Sequence, residues 1–158
     1  MGAEAKREPA EGMIRAFRAE DASAVTAIAA DTPEAANWAE SSYREALNWA
    51  GVVAVVCEGE GKVTGFIIGR RVGYEAEILN LAVARARRRR GEGGALLHAA
   101  MDEFRAHGVS RVFLEVRESN ESGIAFYEKH GFSERGRRAG YYHNSDEAAV
   151  LMEMNLAG

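Results

Sequence analysis

The chain contains one cysteine, Cys57, in 158 residues, so no intrachain disulfide can staple it. It lacks a positive excess too: 20 Lys and Arg stand against 24 Asp and Glu, for a net charge of −4. Composition therefore gives no reason to expect a nucleic-acid partner. No apolar run reaches about 18 residues, which argues against a membrane-spanning helix. The polar opening, with Glu4, Lys6, Arg7, Glu8 and Glu11, has no apolar stretch and does not read as a secretory signal. Residues 1–12 are expected to be a disordered tail; either that tail precedes the fold or translation starts at Met13. The expected location is the cytoplasm.

Several chemistries lack their residues. His98, His107, His130 and His143 are scattered without ligand spacing, so helix-face or capping roles and no metal are expected. No serine or cysteine sits in a nucleophile elbow, which argues against an acyl-enzyme. Neither G-x-x-x-x-G-K-[ST] nor G-x-G-x-x-G is present.

The chain does have enough apolar residues, 47%, to bury one core, and residues 13–158 read as one domain. Residues 13–17 can form a first strand. Asp21 is a plausible cap for a helix carrying Val25, Ile28 and Ala29. Trp38, Tyr43, Ala46 and Leu47 mark a second helical stretch that Gly51 can stop. Two β-branched runs, 52–57 and 63–68, flank Gly59-Glu60-Gly61, a hairpin signal. In the first run Cys57 reads as a small buried hydrophobe.

Residues 75–83 read as another strand. A helix then carries Leu96, Leu97, Ala100, Met101 and Phe104 on one face. An alternating strand over 111–116, a short helix over 122–130 and strands over 132–135 and 148–155 complete the pattern. Antiparallel hairpins followed by a strand–helix–strand unit predict an α+β (mixed α/β) fold.

Between the strand at 75–83 and its helix lies Arg88-Arg89-Arg90-Gly91-Glu92-Gly93-Gly94. The first N–H groups of a helix lack partners and attract anions together with the helix dipole. Glycines at 91, 93 and 94 admit a close backbone approach, and the arginines add charge-assisted hydrogen bonds. The pattern suits a phosphate or pyrophosphate; a tight turn with a solvated basic face is the alternative. Without interleaved aromatics the arginine run does not read as a nucleic-acid surface.

These residues carry a resemblance. Arg88 to Gly93 matches the [Q/R]-x-x-G-x-[G/A] turn of the GNAT acetyltransferase superfamily, and Leu81-Ala82-Val83 precedes it at the expected distance. Downstream, the segment Leu114 to Asn120, then Ala125-Phe126-Tyr127-Glu128, then His130-Gly131-Phe132 are similar to the second half of that fold. More narrowly the chain resembles the RimI-type ribosomal-protein alanine N-acetyltransferases. The L-E-V-R-x-S-N segment, Arg137-Arg138 with Tyr141-Tyr142, the ending from Asp146 to Met154 and, more faintly, Asn37-Trp38-Ala39-Glu40 carry that likeness. It spans Met13 to Leu156.

The resemblance implies a twisted, mostly antiparallel sheet, flanked by helices, whose central strands splay apart around acetyl-CoA. It implies that the backbone of Leu81, Ala82 and Val83 pairs with the pantetheine arm. Arg89, Arg90, Gly91, Glu92, Gly93 and Gly94 would wrap the pyrophosphate, and Asn120 would bind through its amide. Two departures stand out: Ala84-Arg85 replaces an acidic residue and proline, and Glu92 sets a carboxylate beside a phosphate site unless it points to solvent.

Acetyl transfer needs a base to free the amine, an N–H for the carbonyl oxygen and an acid for the departing thiolate. The RimI-type pattern pairs a glutamate and a tyrosine at the separation of Glu115 and Tyr127. Glu115 alternates with Leu114 and Val116, so it shares the opposite face with Phe113; a surface pair with Arg117 is its bland reading. Tyr127 is the candidate acid, or a core aromatic. Glu77 is a rival base, or a solvated strand residue.

Trp38, Tyr141 and Tyr142 either frame the acceptor or simply pack. By resemblance the acceptor is a protein N-terminal α-amine, on a ribosomal protein. A small-molecule acceptor would instead favour an acidic pocket around Glu75, Glu77 and Glu115. A non-catalytic coenzyme A-binding module is the remaining alternative, and either a monomer or a homodimer is expected.

Overall fold

The computed structural model describes residues 13–139 and 147–156. Tyr141, Tyr142, His143 and the expected tail over 1–12 lie outside the described residues.

The chain runs β1 (Met13–Ala16), α1 (Ala22–Ala30), α2 (Glu40–Ala46), β2 (Val52–Gly59), β3 (Lys62–Val72) and β4 (Glu75–Val83). It continues through α3 (Glu92–Ala106), β5 (Arg111–Arg117), α4 (Glu121–Lys129), β6 (Ser133–Arg138) and β7 (Ala149–Asn155). One sheet holds the strands in the order β1-β2-β3-β4-β5-β7-β6. Every neighbouring pair is antiparallel except β4 and β5. The mixed, mostly antiparallel architecture expected from the sequence is the one observed.

Local chemistry explains the elements. Glu60 (φ 55°) and Gly61 (φ 77°) are both left-handed and close the β2–β3 hairpin, the geometry of a type I′ turn. Helix α3 buries Leu96, Leu97, Ala100, Met101 and Phe104, spaced for one stripe. That stripe packs on Val53, Ile67, Val112, Leu114 and Met152. On the other face α1 and α2 deliver Val25, Ile28 and Tyr43 onto Val56, Phe66 and Ile68. The sheet is thus sandwiched over β2, β3 and β4.

Asp21 does not cap α1 with its side chain. Its carboxylate faces back, accepting from the Arg18 N–H at 2.8 Å and from both terminal nitrogens of Arg15 at 2.8 and 2.9 Å. The Arg15 guanidinium holds Asp21 below the usual carboxylate range.

Two irregularities position the site. The β4–β5 pairing runs only from Glu75↔Arg111 to Glu77↔Phe113, after which the strands part. Just there the β3–β4 register shifts, with Ile68 opposite Asn80 and Gly69 opposite Ile78, so Leu79 is an extra residue. Before the bulge Ala76 and Ile78 join the α3-side core; after it Ala82 joins the other. Asn80 is re-aimed toward the α1–α2 segment. It donates to the Ala36 carbonyl and the Tyr43 hydroxyl, and accepts from the Ala36 N–H, all at 3.0 to 3.1 Å.

Phe104 is fully buried under the sheet. Phe104→Ala should cost about 3–5 kcal/mol of unfolding free energy, read from urea denaturation, through lost burial plus an unfilled cavity. A loss under about 1 kcal/mol would show that α3 does not anchor the core in this way.

Candidate active site

Where β4 and β5 part, a cleft of about 1300 Å³ opens between the two strands, the start of α3 and α4. Its lining includes Glu115 and Tyr127, Leu81, Ala82 and Val83, the turn from Arg89 to Gly94, and Asn120. Glu77 does not line it, and Trp38 packs instead, with its ring tilted, against Tyr43 (5.0 Å between ring centres) and Trp49 (6.1 Å).

At its basic end the backbone forms a concave donor surface. Arg89 (φ 66°) and Gly91 (φ 85°) are both left-handed, a conformation uncommon for arginine. Left-handed residues next to right-handed ones can turn N–H groups to one side, the basis of anion-binding nests. The Gly91 carbonyl accepts from Ala95, so the N–H groups of 92–94 are left without helical partners. Arg89 and Arg90 are exposed and have no ion-pair partner among the described residues. Arg88 is used structurally: it donates to the Val83 carbonyl and to the Thr32 hydroxyl, both at 3.0 Å.

The glycines have a second function. A Cβ at Gly94 would come 3.0 Å from the His130 ring, and one at Gly93 would come 3.4 Å from Phe126. They let α4 close against the start of α3 as well as exposing backbone.

The Glu92 side chain turns neither to solvent nor to the anion site. It is 1% exposed and turns into the sheet, held by Arg87 at 2.6 and 2.9 Å and by the Thr64 hydroxyl at 2.9 Å. The Glu92 carboxylate therefore does not oppose an anion at the turn, and the residues present fit a diphosphate. Asn120 caps α4, its Oδ1 accepting from Gly123 N at 2.9 Å, which leaves the NH2 end for a ligand.

Glu115 and Tyr127 reach the cleft from opposite sides of the sheet. Tyr127 packs with the α3-side core, its ring 5.1 Å from Phe126 and 5.5 Å from Phe132. Burial pushes its phenol above the ordinary tyrosine value. Glu115 stands on the other face with its carboxylate 3.3 Å from Arg138. The alternative reading, a surface pair of Glu115 with Arg117, is not what forms: Arg117 reaches Glu147 at 3.1 Å. Glu77 lies next to Phe113 on that face, one pleat from Glu115. Its carboxyl, though reached by solvent, is held above the usual range by desolvation and by the Glu115 charge, with Arg138 opposing.

The pairing of Arg138 with Glu115 depends on β6 register, which the sequence does not display. His98 and His130 hold the helix-face and capping positions expected of them, on α3 and at the C-cap of α4. Their rings meet at 5.2 Å on the cleft wall, beside Lys129. Burial first, then the His98 and Lys129 charges, lower the His130 pKa. Among the described residues no group of three or more His, Cys, Asp or Glu could hold a metal ion, and no helix is long and apolar enough to cross a membrane.

Comparison with known proteins agrees with this geometry. The acetyltransferase (GNAT) family pattern matches residues 22–132. The [ribosomal protein bS18]-alanine N-acetyltransferase of Escherichia coli K12 is 40% identical over 99 residues, covering 61% of this chain and 67% of that protein. The crystal structure of the ribosomal-protein-S18-alanine N-acetyltransferase from Escherichia coli superposes with a TM-score of 0.81 at 32% identity, covering 92% of this chain and 96% of that one. An acetyltransferase from Bacillus anthracis, solved in complex with acetyl coenzyme A, superposes at 0.68 with 25% identity over 73% of this chain and 68% of its own. The cleft, its anion-binding turn and these likenesses converge: the chain belongs to the GNAT family and is an acetyl-CoA-dependent N-acetyltransferase.

Proposed function

We propose that the protein acetylates the N-terminal α-amine of a protein, a ribosomal protein as in the Escherichia coli relative, in the cytoplasm, with Glu115 as base and Tyr127 as acid. What supports this assignment of roles is that the two side chains line one cleft from opposite faces of the sheet, a cleft that the glycine turn also lines.

Bound acetyl-CoA supplies the acetyl group as a thioester. The N–H groups of 92–94, with Arg89 and Arg90, would hold its diphosphate. Leu81, Ala82 and Val83 would offer backbone to the pantetheine arm, and the Asn120 amide a further donor. An α-amine has a pKa of about 8 and is mostly protonated at neutral pH, so a base must first take its proton. Glu115 can do so, directly or through a water, while Arg138 orients its carboxylate. A β4 N–H in the split can stabilise the negative charge that grows on the carbonyl oxygen. Tyr127, kept neutral by its burial, holds the proton that the departing sulfur needs. No covalent acyl-enzyme is required.

Glu115 is preferred over Glu77 as base because Glu77 stays outside the cleft. Arg138 pairs with Glu115 and so reduces the negative charge that a small cationic acceptor would favour.

Incubation with acetyl-CoA, N-terminal peptides and small amines, read by mass spectrometry, should place the acetyl group on a peptide α-amine. Modification of small amines alone would contradict the proposal. Glu115→Gln and Tyr127→Phe should each lower kcat about 10²–10⁴-fold, with coenzyme A affinity nearly unchanged. Wild-type rates in both variants would remove the assigned roles.

The raised Tyr127 phenol also makes a stability prediction. The folded state keeps this proton at a pH where the unfolded chain, with a tyrosine pKa of about 10, has lost it. Its contribution is therefore fully present below about pH 10 and is lost as pH rises further. Tyr127→Phe should flatten the alkaline fall of the unfolding midpoint; an unchanged slope would place the phenol in water.

A further inference from the structure

Behind the anion-binding turn lies a buried charge pair. Glu92, the first residue of α3, has both carboxylate oxygens engaged. Thr64 Oγ1 donates to one at 2.9 Å; Arg87 Nε and Nη2 donate to the other at 2.9 and 2.6 Å. With side chains 10% and 0% exposed, Arg87 and Glu92 form the most enclosed ion pair among the described residues. The Thr64 hydroxyl also lies 3.2 Å from the Cys57 carbonyl, so its single proton is shared between two acceptors. Gly59 makes room for the guanidinium, since a Cβ there would come 2.8 Å from Arg87 Nη2. Strand β3, the connection after β4 and the first turn of α3 therefore meet at one point, against the end of β2.

Stability alone does not account for this arrangement. An apolar pair of similar volume stabilises a core as well as a buried ion pair, or better. Directional bonds give something packing does not, a fixed register. A carboxylate in a first helical turn also tends to sit at the positive end of the helix, where it would compete with a ligand anion. Arg87 and Thr64 draw Glu92 to the other side and leave the N–H groups of 92–94 clear.

We propose that Arg87, Glu92 and Thr64 are positioning residues for acetyl-CoA: they fix the first turn of α3 and the left-handed Arg89 so that the donors converge on one diphosphate. This rests on the reading that the turn holds that diphosphate. None of the three touches the reacting atoms, so cofactor affinity, and not turnover, is the quantity they control.

Three proteins test it: wild type, Thr64→Val, and the double variant Arg87→Met/Glu92→Leu. The measurements are the thermal unfolding midpoint, coenzyme A titration by calorimetry, and initial rates with acetyl-CoA and a peptide acceptor. The double variant should unfold near the wild-type midpoint, because an apolar pair replaces the charged one. Its coenzyme A Kd and acetyl-CoA KM should rise about tenfold, while kcat and the acceptor KM change less than about twofold. Thr64→Val, which keeps the charges, should raise the same Kd about threefold. A folded double variant with wild-type affinity overturns the proposal, as does a joint loss of kcat and both KM values. If the double variant does not fold, Thr64→Val decides: unchanged affinity overturns the proposal. A folded wild-type protein that fails to bind coenzyme A would instead overturn the diphosphate reading.

Discussion

The structure depends on where β4 stops pairing with β5. Three residue pairs hold the only parallel contact among the described residues, and beyond Glu77 and Phe113 the strands separate. Continued pairing would fill the ladder and leave no cleft. Separation leaves backbone polar groups without sheet partners, and such groups are costly unless water or a ligand satisfies them. The Leu79 bulge sits at the same level, and Asn80 is turned there to staple the 32–37 segment onto β4. The opening is thus held by packing and hydrogen bonds on both sides of the break, and it lets one cavity reach residues on both faces of the sheet.

The second organising feature is the distribution of charge around the start of α3. Four consecutive arginines look alike in sequence and part company in the fold. Arg87 is buried against Glu92, Arg88 ties the turn to Val83 and Thr32, and Arg89 and Arg90 remain exposed at the cleft. The first two build the turn; the last two, with the free helix N–H groups, give it a positive face. An acidic chain can therefore present a local anion site without any global positive charge.

Sequence reading carried far where physical periodicity was strong. The stripe from Leu96 to Phe104 follows helical spacing, and Gly59-Glu60-Gly61 announces its hairpin, so both were legible. The glycine turn was legible as an anion site because its physics is local. Strand β6 was placed over 132–135 instead of Ser133–Arg138, since its polar residues lie mostly exposed at the sheet edge and carry no alternation. The side-chain partners of Asp21, Glu92 and Arg138 were not legible, for one shared reason. Each meets a partner that only tertiary register supplies: Arg15, Arg87 with Thr64, and Glu115. The break between β4 and β5 belongs to the same class; strand patterning shows which residues face inward, not where a neighbour departs.

The central claim is that the unpaired backbone of this split receives the cofactor. Amide hydrogen exchange with and without coenzyme A tests it most directly, because the donors themselves are observed. The account predicts slowed exchange at residues 81–83 and 91–94 on binding, with the paired hairpin of β2 and β3 unchanged. Binding that leaves those amides exchanging as before, or that protects a different surface, would contradict it.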